Sequence, residues 1–175
     1  DAKFPEDDLI ARVQLLNSLG YNVMVSDYTR YFSLRAYFRQ YTKKHIGIVV
    51  GMVNVKQIFD ESFYRGVEGG ILEGFGKLFP DNTKLFVYPE RAEDGQPTTF
   101  TEVKVPEHLR FLYRHLLENG FVAGIECSDA NLFNIYSREV LKQIPTENTE
   151  WQAVVPEKAV KEIIDKKMFG YRGKG

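Results

Sequence analysis

The feature that most constrains this chain is the run HIGIVVGMV at 45–53, nine residues with a single ionisable side chain and a glycine inside each half. A continuous apolar stretch of that length, bounded by glycine, reads as a strand covered on both faces, as parallel strands are. Three shorter runs share its character: NVMVS (22–26), KLFVYPE (84–90, stopped by Pro89) and FVAGIEC (121–127). The sequences between them have the period of helices.

Helical spacing appears first at Leu9, Val13 and Leu16, behind Pro5 and the acids Glu6, Asp7 and Asp8, with Gly20 as the stop. A second helix is expected from about Arg30 to Lys44, with Tyr31, Leu34, Phe38 and Tyr41 as its apolar stripe and Arg35, Arg39 and Lys43 on another face. Asn54 is placed to cap a third, VKQIFDESFYR, and Pro106 opens a fourth that Asn119-Gly120 ends. LFNIY reads as a short extra strand, Ser137 as the cap of a helix through Ile144, and Pro156 as the start of a last helix reaching Met168. An Asp94-Gly95 turn with alternation at Phe100, Val103 and Val105 suggests a surface hairpin. Alternating helices and strands predict an α/β fold: a three-layer, mainly parallel, Rossmann-like sheet with a hairpin-like excursion around 89–105. At 175 residues, residues 1–175 read as a single α/β domain, and the lack of an initiator Met as the sign of a fragment of a longer protein.

Composition narrows the function classes. A formal net charge of −1 supplies no overall pull toward nucleic acid or anionic lipid. Cys127 is the only cysteine, which excludes an internal disulfide and fits a reducing, cytoplasmic setting. No run of 18 apolar residues suggests a membrane span. Tyr28 to Lys44 carries five cations, no acid and four interleaved tyrosines, a pattern that can hold phosphates and stack bases. Asp60 to Glu73 holds four acids against one arginine, so pairing between the two segments accounts for the same residues, and nucleic-acid binding is not inferred.

Open parallel sheets bind ligands beyond the carboxyl ends of their strands. Here that rule selects Asp27, Tyr28, Arg30, Gly51, Asn54 and Glu90 as ligand-binding candidates, with Cys127 to Asp129 after the last strand. Such a set suits a polar or phosphorylated small molecule, although Asp27, Asn54 and Asp129 are equally residues that cap helices. Within YRGVEGGILEGFGKLF (64–79), Gly66, Gly70 and Gly74 recur every four residues, the spacing of a helix face that lets another backbone approach. Neither a Walker A loop nor a dinucleotide fingerprint is complete there. Glu68 and Glu73, with Asp27, are the candidate acid/base carboxylates; no metal site and no particular cofactor is indicated.

Four blocks, LNSLGYNVMVSDYTRYFSLRAYFRQYT, IGIVVGMVNVKQIFDE, GVEGGILEGFGKLFPDNTKLFVYP and VPEHLRFLYRHLLENG, resemble a bacterial, notably cyanobacterial, family. Its members carry labels such as nicotinate- or nicotinamide-nucleotide adenylyltransferase-like, or TonB-dependent receptor. The likeness spans essentially the whole chain, which looks like the carboxyl-terminal part of longer proteins. The first label implies nucleotide binding, but its H-x-G-H motif has no counterpart among the three histidines, so no catalytic residue is carried over. The second implies a membrane barrel, which alternating helices and strands do not build. The expected function is therefore a domain binding a nucleotide-like or phosphorylated small molecule, as part of an enzyme or on its own. The alternative is an interaction or regulatory module packing through the Gly66/Gly70/Gly74 face against another domain of a longer chain or a homo-oligomer partner.

Overall fold

The computed structural model describes residues 6–80, 82–91, 97–98, 100–126, 132–133 and 135–173. Its elements in chain order are α1 (Glu6–Ser18), α2 (Tyr31–Tyr41), β1 (Ile46–Gly51), α3 (Met52–Ile58), α4 (Gly70–Leu78), β2 (Thr83–Tyr88), β3 (Glu90–Arg91), β4 (Pro97–Thr98), α5 (Arg110–Glu118), β5 (Val122–Gly124), α6 (Ser137–Gln143), α7 (Trp151–Val154) and α8 (Glu157–Asp165). This is an α/β mixture with a small parallel sheet. The chain forms two compact units, one from Asp27–Phe133 and one from Asp1–Ser26 with Asn134–Gly175.

In the Asp27–Phe133 unit the strands lie in the order β1-β2-β5, all parallel, with Ile48 opposite Leu85 and Leu85 opposite Val122. The reason is visible in β2, where Thr83, Leu85 and Val87 are buried while Lys84, Phe86 and Tyr88 are only half-covered. Val50, Leu85, Val87 and Val122 join Val55 and Phe59 around α3, Phe75 and Leu78 of α4, and Tyr113 and Leu116 of α5 in one core. Right-handed crossovers between adjacent parallel strands put their helices on the same face. The opposite row is open, with Val49 65% exposed against 5% for Val50. The expectation that β1 is covered on both faces is thus corrected: its apolar residues serve one core face and one open face.

Other boundaries moved for local reasons. NVMVS forms no strand among the described residues; residues 21–29 are irregular and Val25 is 62% exposed, since its three-residue apolar run finds no pairing partner. The helix expected to run through VKQIFDESFYR starts earlier, at Met52, so Asn54 lies inside α3 instead of capping it. It also stops earlier, because the Asp60 carboxylate accepts the Ser62 amide proton at 2.9 Å and starts a separate 3-10 turn, Glu61–Tyr64. Gly66 (φ +81°) lies outside α4 and Gly70 (φ +56°) opens it, so Gly66, Gly70 and Gly74 do not share one helix face. β3 and β4 pair antiparallel as a hairpin, while its Asp94-Gly95 turn lies outside the described residues. In place of the LFNIY strand, Leu132 and Phe133 sit in a helical turn.

The other unit is helical. Ile144, Trp151, Ile163 and Met168 form its core, with Ala11 and Leu15 of α1 and Val140 of α6 packed against them. Trp151, only 1% exposed, meets the Tyr171 ring edge-on at 6.2 Å. The short helix α7 that carries it has no apolar period to announce it, and α8 ends three residues before Met168.

Candidate functional site

The carboxyl ends of the parallel strands meet where Gly51 stands opposite Tyr88 and Val87 opposite Gly124. Gly51 ends β1 in an extended conformation and α3 begins at the next residue. Asn54, one turn into α3, folds back toward the strand end: a Cβ placed on Gly51 would lie 3.7 Å from its Oδ1. Its amide nitrogen donates to Gln57 Oε1 at 3.4 Å. Two residues beyond β2, the Glu90 carboxylate faces Lys56 Nζ at 3.9 Å. The Tyr88 ring meets Phe133 edge-on at 6.1 Å, closing the side toward β5.

This edge therefore gathers a glycine backbone, two side-chain amides, one ammonium and one carboxylate. Amides and a carboxylate can bind hydroxyl groups, and the ammonium can bind a phosphate oxygen. Of the ligand-binding candidates, Gly51 ends β1 with Asn54 beside it, and Glu90, two residues beyond β2, faces Lys56. Lys56 was not singled out from the sequence, though its place in the helix leaving a strand end was a usable signal.

The remaining candidates lie elsewhere. Arg30 precedes α2 and donates to the Arg65 carbonyl at 3.0 Å. It lines, with Gln57 and Tyr64, a depression of about 360 Å³ partly open to solvent. Asp27 is exposed in irregular chain. Tyr28 packs tilted against Tyr37 of α2, ring centres 5.7 Å apart, and borders a shallow groove of about 550 Å³ between α2 and α4 with Phe32, Arg35 and Lys77. No strand places Asp27 and Tyr28 at a sheet edge, because 22–26 is not one.

Glu68 is exposed in the turn before α4. Glu73 is engaged in holding the fold. One of its oxygens accepts the Gly69 N–H at 2.7 Å and the other pairs with Lys77. The Lys77 ammonium and then the Gly69 amide hold its carboxyl below the usual glutamate value. It closes the first turn of a helix whose own N-terminal residues, Gly69 and Gly70, have no side chain to cap with.

The basic helix also departs from expectation. Arg35 is buried, 8% exposed, and donates to the Pro80 carbonyl at 3.0 Å and to Thr83 Oγ1 at 3.4 Å, tying α2 to the start of β2. Arg39 donates to the carbonyls of Thr42 and Lys44. Carbonyl oxygens thus hold much of the charge that the sequence assigned to acids 60–73. Cys127 and Asp129 lie outside the described residues. Among the described residues no cluster of three His, Cys, Asp or Glu side chains could hold a metal, and no helix is long and apolar enough to cross a membrane.

No protein-family model, curated protein or solved structure matches the chain.

Proposed function

We propose that the chain binds a nucleotide-like or other phosphorylated small molecule at the carboxyl edge of its parallel sheet, in a domain that shares the Rossmann-like alternation of parallel strands and crossover helices. The observation that supports this reading is that β1 and β2 end side by side, with Asn54 beside Gly51 at one strand end and Lys56 facing Glu90 just beyond the other. Ligands of α/β sheets sit at that edge because the loops there are free to vary while the strands hold them rigidly. Lys56 takes the phosphate, Glu90 accepts hydroxyl protons, and the bare backbone of Gly51 lets the ligand approach closely.

The test is thermal unfolding of the chain against nucleoside mono- and diphosphates, dinucleotides, sugar phosphates and inorganic phosphate. A ligand at a hundred times its Kd adds about 2.7 kcal/mol to stability, several degrees in Tm for a domain of this size. The expected outcome is a shift with one class of phosphorylated compound that Lys56→Ala and Glu90→Ala abolish. No shift with any of them overturns the reading.

A further inference from the structure

We infer that a trough crossing α4 from α2 to α5 binds an alkyl carboxylate, its chain lying over Gly76 and its head at Lys77. Two grooves make the trough. One, of about 550 Å³ between α2 and α4, is lined by Tyr28, Tyr37, Gln40 and Lys77 among others. The other, of about 310 Å³ between α4 and α5, is lined by Leu72, Phe79, Leu112 and Phe121. Gly76 and Pro80 line both, so the two grooves meet over the bare backbone of α4. All of these residues belong to the Asp27–Phe133 unit.

Gly76 makes the trough continuous, and its own neighbourhood gives no other reason for a glycine. Of the five glycines at 64–79, Gly66 and Gly70 have positive φ, and a Cβ on Gly69 or Gly74 would collide with Glu73 or Tyr64. Gly76 is under neither constraint: its φ is not positive, and nothing lies within 4 Å of its virtual Cβ. A glycine inside a helix costs about 1 kcal/mol relative to alanine. A ligand lying across α4 accounts for that cost, because any side chain at 76 would stand in its path.

The two ends differ in chemistry. The α4–α5 end is apolar, with 67% of Leu72 exposed, and His115 is the one titratable side chain on its lining. The His115 ring tilts against Phe121 at 6.1 Å, and its Nδ1 lies 3.2 Å from Asn119 Nδ2. An alkyl chain matches this end. The α2–α4 end carries Arg35 and Lys77 with no carboxylate on its lining, and the Gln40 amide and two tyrosine hydroxyls add donors. Glu73, one turn before Lys77, already takes part of that ammonium's charge, and Arg35 donates to the Pro80 carbonyl and Thr83 hydroxyl. A singly charged carboxylate therefore fits this end better than a phosphate dianion, which separates this ligand from the one expected at the strand ends.

Calorimetric titration of the intact chain with octanoate, decanoate and dodecanoate, each below its micelle concentration, tests this. Affinity is expected to rise at least about twofold per methylene, and about fourfold where the chain is fully covered. Dodecyltrimethylammonium, with the same chain and a cationic head, is expected to bind at least about tenfold more weakly than dodecanoate. Lys77→Ala should weaken dodecanoate about threefold to fivefold, as expected for an exposed charge. Gly76→Leu is expected to keep the fold, because leucine is the better helix former and its Cβ meets nothing within 4 Å, yet to weaken dodecanoate at least about tenfold by filling the trough. Circular dichroism melts check the fold. Should Gly76→Leu not fold, Leu72→Glu, at an exposed position, decides in its place, with the same loss expected. Absence of binding by all three chains, equal binding of the cationic homologue, or a folded Gly76→Leu that binds dodecanoate as tightly as the wild type overturns the inference.

Discussion

Gly74 lies so close under the ring of Tyr64 that a Cβ at that position would overlap the ring carbons. The ring has nowhere to go: Tyr64 is 7% exposed, its hydroxyl donates to the Ile58 carbonyl at 2.7 Å, and Phe75 packs edge-on against it at 6.0 Å. Gly76, two residues on in the same helix, has nothing within 4 Å of its virtual Cβ. Gly74→Ala should therefore destabilise the fold by about 1–3 kcal/mol through overpacking. Gly76→Ala should stabilise it by about 0.5–1 kcal/mol through helix propensity. Urea denaturation of the two variants gives the opposite signs directly; equal effects would contradict this packing.

Arg35 is the second structural anchor. Replacing it with Met keeps the aliphatic stem but strips the Pro80 carbonyl and Thr83 hydroxyl of their charged donor, an expected loss of about 2–4 kcal/mol. Arg35→Lys should recover little, because a single ammonium cannot reproduce the spread of the guanidinium fork. Denaturation midpoints of the two variants check both statements.

Two tyrosines set an alkaline limit. Burial raises the Tyr64 hydroxyl strongly and pushes Tyr113 up to about 12, from an ordinary value of 10.0. The Tyr113 hydroxyl donates to the Phe100 carbonyl. A folded value above the unfolded one means that the protonated form is favoured by the fold. The contribution is complete below pH 10 and is lost as pH rises from 10 through about 12. Tyr113→Phe should lower stability at neutral pH by about 1 kcal/mol and flatten its decline above pH 10. Thermal melts between pH 8 and about 11.5 distinguish this from a uniform offset.

Glu73 acts at the opposite limit. Its folded value is depressed by Lys77 and by the Gly69 amide, so its stabilising effect is present above the ordinary value of 4.5 and disappears as pH falls through the lower folded value. Glu73→Gln should cost stability at pH 7, and the difference from wild type should vanish in acid. A Tm series from pH 7 down to about 2.5 shows whether the two curves converge.

How much of this was legible follows from which residues act locally. β1, β2 and β5 announced themselves because apolar runs bounded by Gly or Pro need only their own neighbours to read as strands. NVMVS has the same composition, but strand formation requires a partner, and nothing in five residues specifies one. Asp60 broke a helix by a side-chain bond to Ser62 that competes with the helical backbone, a local signal available in the sequence. Arg35 could not be read: at helical spacing it looks like its neighbours Arg39 and Lys43, and only the tertiary position of Pro80 and Thr83 makes it a core residue. The same holds for the site. Gly51 and Glu90 do stand at or just beyond strand ends, and Asn54 follows in α3, because the strand-end rule depends on element order alone. Tyr28 and Asp27 were misplaced along with the strand they were meant to follow.

The central claim is that ligand binding occurs at the carboxyl edge formed by β1 and β2. Backbone amide chemical shifts of the isotopically labelled chain, followed during titration with the phosphorylated compound that most raises Tm, test it most directly. The account predicts the largest shifts at Gly51, Asn54, Lys56, Tyr88 and Glu90, with the α2–α4 groove around Tyr37 and Lys77 little changed. Shifts centred on Tyr28, Tyr37 and Lys77, with the strand ends silent, would contradict it.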